Sequence, residues 1–137
     1  MLLPSFRYFV VMVKQFLFVI LAVLIFSCKK PPERNCTDFK TGKFSFTAVV
    51  NGEEKETTFY RTLEAEVDYF EGKRDTSSVR WINDCEYVLK NIHPKNKSEE
   101  KSIHIKILTT TDSSYTFEYG AIGDNRKFKG TAYKIAD

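Results

Sequence analysis

The sequence is short of the residues on which most site chemistry depends. It has two histidines, His93 and His104, and three cysteines. A zinc centre wants three or four His, Cys or carboxylate ligands at a recognisable spacing. His104 falls on the outward parity of an isoleucine-alternating stretch and His93 precedes Pro94 in a loop, so both read as solvated, and no metal site is expected. No Cys-x-x-Cys pair occurs, which argues against a redox or metal thiol centre. The six glycines form no phosphate-cradling loop. Ser77-Ser78 and Ser113-Ser114 lie in turns without a partnered histidine, so no nucleophile is placed and no catalytic residue is expected. Repeats, heptads and long amphipathic helices are missing too. A formal charge of +3 over 137 residues is too small for a strongly basic nucleic-acid binder. The 42% hydrophobic content excludes an intrinsically disordered chain. The length allows one domain, since domains run to about 100–200 residues.

What is present divides the chain sharply. Residues 1–27 contain no acid and two cations, Arg7 and Lys14. Phe16 to Phe26 is an unbroken apolar run of eleven residues. A spanning helix needs about 20 such residues, whereas about 7–15 make the apolar region of a signal peptide. The run closes on Ser27-Cys28, a small residue before a cysteine, which resembles a bacterial lipoprotein signal. Phe26 departs from the commonest residue at the middle of that motif. The resemblance implies removal of residues 1–27 and acylation of the Cys28 thiol, with palmitate-type chains anchoring the protein in the membrane. An uncleaved N-terminal anchor is the other reading. Met12 is a second candidate start, because Met-Val-Lys-Gln with the apolar run already forms a complete signal.

Cleavage would leave 110 residues with 19 Lys and Arg against 18 Asp and Glu. Nucleic acid therefore drops out as a partner. It would also leave two thiols, Cys36 and Cys85. Export to an oxidising compartment favours a disulfide between them, worth roughly 4 kcal/mol for a loop of this length. Two buried free thiols are the alternative.

Residues 28–40 are polar and begin Pro31-Pro32, which suits a tether. Residues 41–137 read as one β domain. Phe44, Phe46, Ala48 and Val50 share a face. Asn51-Gly52 is a strong hairpin cue, and Thr57-Thr58-Phe59-Tyr60 is β-rich. Leu63, Ala65, Val67 and Tyr69 alternate with Glu64, Glu66 and Asp68, placing the acids outside. Glu71-Gly72-Lys73 turns the chain. Val79 and Trp81 share one face, and Cys85, Tyr87 and Leu89 another. Residues 91–101 are a long polar connection in which Pro94 can open a helical turn. Ile103, Ile105 and Ile107 follow, then Tyr115, Phe117, Tyr119 and Ala121. The last strand starts with Phe128 inward, and a bulge near Gly130 is expected to bring Tyr133 and Ile135 to the same face. The expected fold is all-β: about eight short antiparallel strands in an up-and-down meander, as a small barrel or a strongly curled sheet.

The charged groups on this frame have bland readings. Glu64, Glu66 and Asp68 read as the wet side of a sheet, although such a row could bind a cation. Arg61 beside Glu64 reads as an exposed pair. Arg126-Lys127-Phe128-Lys129 reads as a strand that protects a sheet edge. The portion after residue 27 holds 7 Phe, 6 Tyr and 1 Trp. These either fill the interior or line a ligand cavity.

The segments Cys36–Phe44, Arg61, Val79–Leu89, Ser114–Tyr119 and Gly130–Ala132 together resemble a group of small flavobacterial lipoproteins. Members sometimes carry the label DNA topoisomerase IV, an activity that 110 exported residues cannot house. Gly42-Lys43-Phe44 also resembles the first-strand motif of lipocalin-like lipoproteins, which have Trp where this chain has Phe44; that implies a lipocalin-like barrel. The expectation is a non-catalytic envelope protein, anchored by acylated Cys28 at the periplasmic face of the outer membrane. It would need no cofactor and would bind a small apolar ligand or another envelope protein. A small hydrolase or metal-dependent enzyme is the rival.

Overall fold

A computed structural model describes residues 8–17 and 33–137. The chain divides into two units, parted between Pro31 and Pro32. In the first, residues 8–17 are helical with exposed side chains. Among the described residues no helix is long and apolar enough to cross a membrane. Cys28, most of the proposed leader and the start of the tether lie outside the described residues.

The second unit is a closed barrel of eight antiparallel strands in sequence order. They are β1 (Gly42–Val50), β2 (Glu53–Arg61), β3 (Ala65–Phe70), β4 (Lys73–Asn83), β5 (Glu86–Asn91), β6 (Ile103–Thr110), β7 (Ser114–Ala121) and β8 (Phe128–Ala136). β8 pairs back onto β1, so the barrel alternative holds over the open curled sheet.

Two hairpins set the register of the first half. Asn51 and Gly52 have φ of 53° and 82°, and Glu71 and Gly72 have φ of 47° and 73°. Positive φ at both central residues is the mirror-image turn whose twist matches the flanking strands. Each turn has two residues, so Val50 pairs with Glu53 and Phe70 with Lys73. Directly paired residues point to the same side of a sheet. Inward Phe44 and Phe46 therefore put Phe59 and Thr57 inside. Inward Val79 stands on the same strand face as Ser77 and Asp75, whose partners are Glu66 and Asp68.

That register reverses the expected face of β3. Glu66 is buried and Asp68 lines the interior, whereas Leu63 and Tyr69 are exposed. The alternation was legible but its polarity was not: a period of two is satisfied by either face. The acids are held inside because Arg61 is inside with them.

The final strand also differs from expectation. β7 and β8 pair without a shift from Ser114↔Tyr133 to Tyr119↔Phe128. Tyr133 and Ile135 point out and are exposed, and the only β8 irregularity lies against β1, between Lys43 and Phe44. Gly130 serves a different purpose: a Cβ there would lie 3.1 Å from the Phe117 ring and would overlap the Phe46 ring. The closed barrel pairs β8 with β1 over Ala132–Ala136, whereas Phe128–Thr131, with Lys129, pair with β7 alone and Lys127 precedes the strand. Arg126 instead pairs with Asp124 at 2.6 Å.

The connection from β5 to β6 contains one helical turn, started by Asn96 rather than Pro94. Asn96 Oδ1 accepts the Glu99 N–H at 3.0 Å, and Glu99 Oε2 accepts the Lys95 N–H at 2.8 Å. This resembles a capping box, except that Glu99 reaches back to the residue before the N-cap and not to the N-cap N–H itself.

One end of the barrel is stoppered. A 3₁₀ turn at Thr37–Phe39 buries Phe39 among the interior aromatics, with its ring 5.3 Å from that of Tyr115. Cys36 is buried beside it and forms a disulfide with Cys85 at the β4–β5 turn, the Cα atoms 5.2 Å apart. Lys40 pairs with Asp84 at 2.7 Å, and Arg34 donates to the Ile107 carbonyl at 2.7 Å. The polar stretch read as a tether thus ends as part of the domain. The expected Cys36–Cys85 bridge is present and ties the stopper to the wall.

Candidate functional site

The interior is built upward from the stopper. Arg61, the last residue of β2, points into the barrel and is 1% exposed. Its Nε donates to Glu66 Oε2, its Nη2 to the Tyr115 hydroxyl at 2.9 Å, and its Nη1 to the Phe39 carbonyl at 3.1 Å. The guanidinium is also boxed by rings: its Cζ lies 4.5 Å from the Tyr87 centroid and 5.0 Å from those of Phe44 and Phe59. Flat, weakly hydrated guanidinium suits such a box better than ammonium does. Two charges out of water are tolerable only when paired and hydrogen-bonded, and here both conditions hold. Arg61, expected as an exposed partner of Glu64, is instead the centre of the core.

Burial pushes the Tyr87 and Tyr115 hydroxyls above their ordinary pKa, so both stay protonated as part of this network. The network couples β2, β3, β7 and the stopper across the barrel floor.

Above the floor is a chamber of about 160 Å³. Phe46, Phe117, Tyr119, Leu89 and Ile105 form its apolar walls. It is contiguous with a larger mouth of about 410 Å³, because Thr57, Asp68, Leu89 and Ile103 line both. Asp75, Ser77 and Asn91 form the mouth's β4–β5 side, and Ser98, Glu99 and Lys101 of the β5–β6 connection form the other. The barrel is therefore a cup, stoppered at one end and open at the other. Both readings of the aromatics are realised: Phe39, Phe44, Tyr87 and Tyr115 fill the lower half, and the upper half is hollow.

Asp68 stands where chamber and mouth meet. Burial pushes its carboxyl up to about 7, with Glu66 and Asp75 adding to the rise and Arg61 opposing it. Asp75 is its direct cross-strand partner. No hydrogen bond engages the Asp68 carboxylate among the described residues, in contrast to Glu66.

Outside the cup, the residues singled out from sequence are dispersed. His104 contacts Glu86 at 3.1 Å on the outer wall. His93 lies in the β5–β6 connection. Among the described residues no group of three or more His, Cys, Asp and Glu could hold a metal ion. Sequence reasoning missed the Arg61–Glu66 pair and the position of Asp68. The signal that could have found them was the two-residue turn at Glu71-Gly72. Combined with an inward Val79, it forces the even-numbered residues of β3 inside.

No protein family, curated protein or solved structure matches the chain.

Proposed function

We propose that the protein is a lipid-anchored, non-catalytic binding module of the bacterial envelope that holds a small molecule in the barrel cup. The observation that carries this reading is the hollow upper half, a chamber of about 160 Å³ opening into a mouth of about 410 Å³. Ligand sites are concave, largely apolar and furnished with few polar groups, typically about 300–1,000 Å³ in all. An engineered cavity of about 150 Å³ accommodates benzene, so the chamber fits one ring or a short branched alkyl group. The lower half supplies rigidity, since its charged network, disulfide and stopper leave that end closed. Glu66 is engaged by Arg61, and Asp75, the carboxylate beside Asp68, is approached by Lys95; no histidine, serine or cysteine nucleophile is paired with either acid among the described residues. That weighs against the rival hydrolase.

The anchor rests on the apolar run of Phe16–Phe26 followed by Ser27-Cys28. No aspartate follows Cys28, as inner-membrane retention would require by resemblance to enterobacterial sorting. No acidic run follows it either, as surface export would favour. The periplasmic face of the outer membrane fits both features. Two or more acyl chains would hold the protein stably, at about 0.8 kcal/mol per buried CH₂.

Mass spectrometry of the protein from native membranes tests both parts. The expected species begins at an acylated Cys28 and carries a co-purifying small molecule released on denaturation. An intact leader with unmodified Cys28 refutes the anchor, and no bound or bindable small molecule refutes the cup.

A further inference from the structure

We infer that the cup takes a small organic amine, its apolar end in the chamber and its ammonium group beside Asp68. This rests on the reading of the cup as a binding site and adds the class of ligand. The argument begins with which charges are free. Among the described residues Arg61 is the one cation lining the chamber, and it is unavailable to a ligand anion. Glu66, Tyr115 and Phe39 take hydrogen bonds from all three of its nitrogens, aromatic rings cover it, and it is 1% exposed. A carboxylate or phosphate would find no accessible donor there. At the meeting of chamber and mouth the free charged group is Asp68: Glu99 is held by the Lys95 N–H and the Asn96 amide, Asp75 by Lys95, and Lys101 stands farther out, on the mouth and not on the chamber. Asp68 and Asp75 face each other across β3 and β4, and Glu99 stands across the mouth with Lys101. Lys95 approaches Asp75 at 3.6 Å and leaves Asp68 unpaired.

The geometry then sets the shape of the ligand. Below Asp68 the walls are Phe46, Phe117 and Tyr119 with Leu89 and Ile105, which offer apolar surface and ring faces. A cation at the level of Asp68 gains the carboxylate, and nearby ring faces add to that attraction. An isolated buried carboxylate is costly, and with its carboxyl raised to about 7 Asp68 in the empty cup is protonated below neutral pH. The other charged groups facing it are Glu66 on its own strand, Arg61 on β2, Asp75 on β4, and Glu99 and Lys101 above. An arriving ammonium replaces the proton as counter-charge. The proton passes to the buffer and no covalent bond changes.

The test compares three probes of one shape on the full chain in non-ionic detergent micelles: phenethylamine, neutral 2-phenylethanol and anionic 3-phenylpropanoate. Calorimetry at pH 6 is expected to show the amine binding at least tenfold tighter than the alcohol and the acid most weakly. Amine binding should release protons, seen as a dependence of the heat on the buffer. Asp68→Asn should reduce amine affinity to that of the alcohol, abolish proton release, and leave alcohol binding unchanged. Equal affinities for amine and alcohol, stronger binding of the acid, or an amine advantage that survives Asp68→Asn would overturn the inference and leave the cup reading standing. Binding of none of the three would overturn both.

Discussion

Removal of the Arg61 guanidinium by Arg61→Met is the sharpest perturbation of this fold. Methionine roughly keeps the stem and loses the three hydrogen bonds to Glu66, Tyr115 and Phe39. It leaves the Glu66 carboxylate, whose side chain is 4% exposed, with no counter-charge. Breaking a buried pair from one side costs about 3–5 kcal/mol, mostly because the remaining charge is stranded. At about 4–8 °C per kcal/mol for a domain of this size, that is a fall in Tm of roughly 12–40 °C. Urea unfolding of the full chain in detergent, followed by the fluorescence of Trp81, measures the loss. The second arm is Arg61→Met with Glu66→Leu. Replacing both members of a buried pair by apolar groups is often nearly neutral, so the double variant should be more stable than Arg61→Met alone. A loss below about 1 kcal/mol for Arg61→Met would refute the reasoning, as would a double variant whose losses simply add.

Three further outcomes follow from other parts of the molecule. Asp68 has a folded pKa of about 7, above its unfolded value near 4, so the folded state binds the extra proton. Its contribution is complete below about pH 4 and is lost as pH rises through 7, at no more than about 1.4 kcal/mol per pH unit. Asp68→Asn should therefore flatten the urea-midpoint profile between pH 4 and 7, and an unchanged slope would contradict the assignment. Reduction of Cys36–Cys85, or Cys85→Ser, should cost about 2–5 kcal/mol. It should also raise amide exchange in the stopper at Thr37–Phe39 before the strands, and uniform exchange would show that the stopper is held by other means. Gly130→Ala should destabilise by about 1–3 kcal/mol through overlap with Phe46. Gly52→Ala meets nothing within 4 Å and is strained only by its φ of +82°, at about 1–2 kcal/mol. Equal losses with a fully repacked Phe46 would remove the steric account.

The candidate cup was half legible. Phe44, Phe46, Val79, Tyr87, Ile105, Ile107, Tyr115 and Phe117 were all recognised as sharing inward faces. Most lie on strands where apolar and polar residues alternate and one parity is buried; β5 is the exception, with Tyr87 and Val88 both buried. β3 broke the rule, because its odd positions are apolar and its even positions acidic, yet the even ones are inside. Local pattern assigns Glu66 and Asp68 to water. Register assigns them to the interior, and register wins because a two-residue turn admits one pairing only.

By itself the sequence indicated an all-β chain, short strands in meander order, a hairpin at Asn51-Gly52, a turn at Glu71-Gly72-Lys73, and a favoured pairing of Cys36 with Cys85. These are local matters of backbone sterics, periodicity and a small number of thiols. Only the tertiary structure decided that β8 closes onto β1, that residues 36–40 stopper one end, and that Arg61 and Glu66 neutralise each other in the core. Each of those depends on groups far apart in the chain meeting in a medium of low dielectric, where the partner sets the cost of a charge.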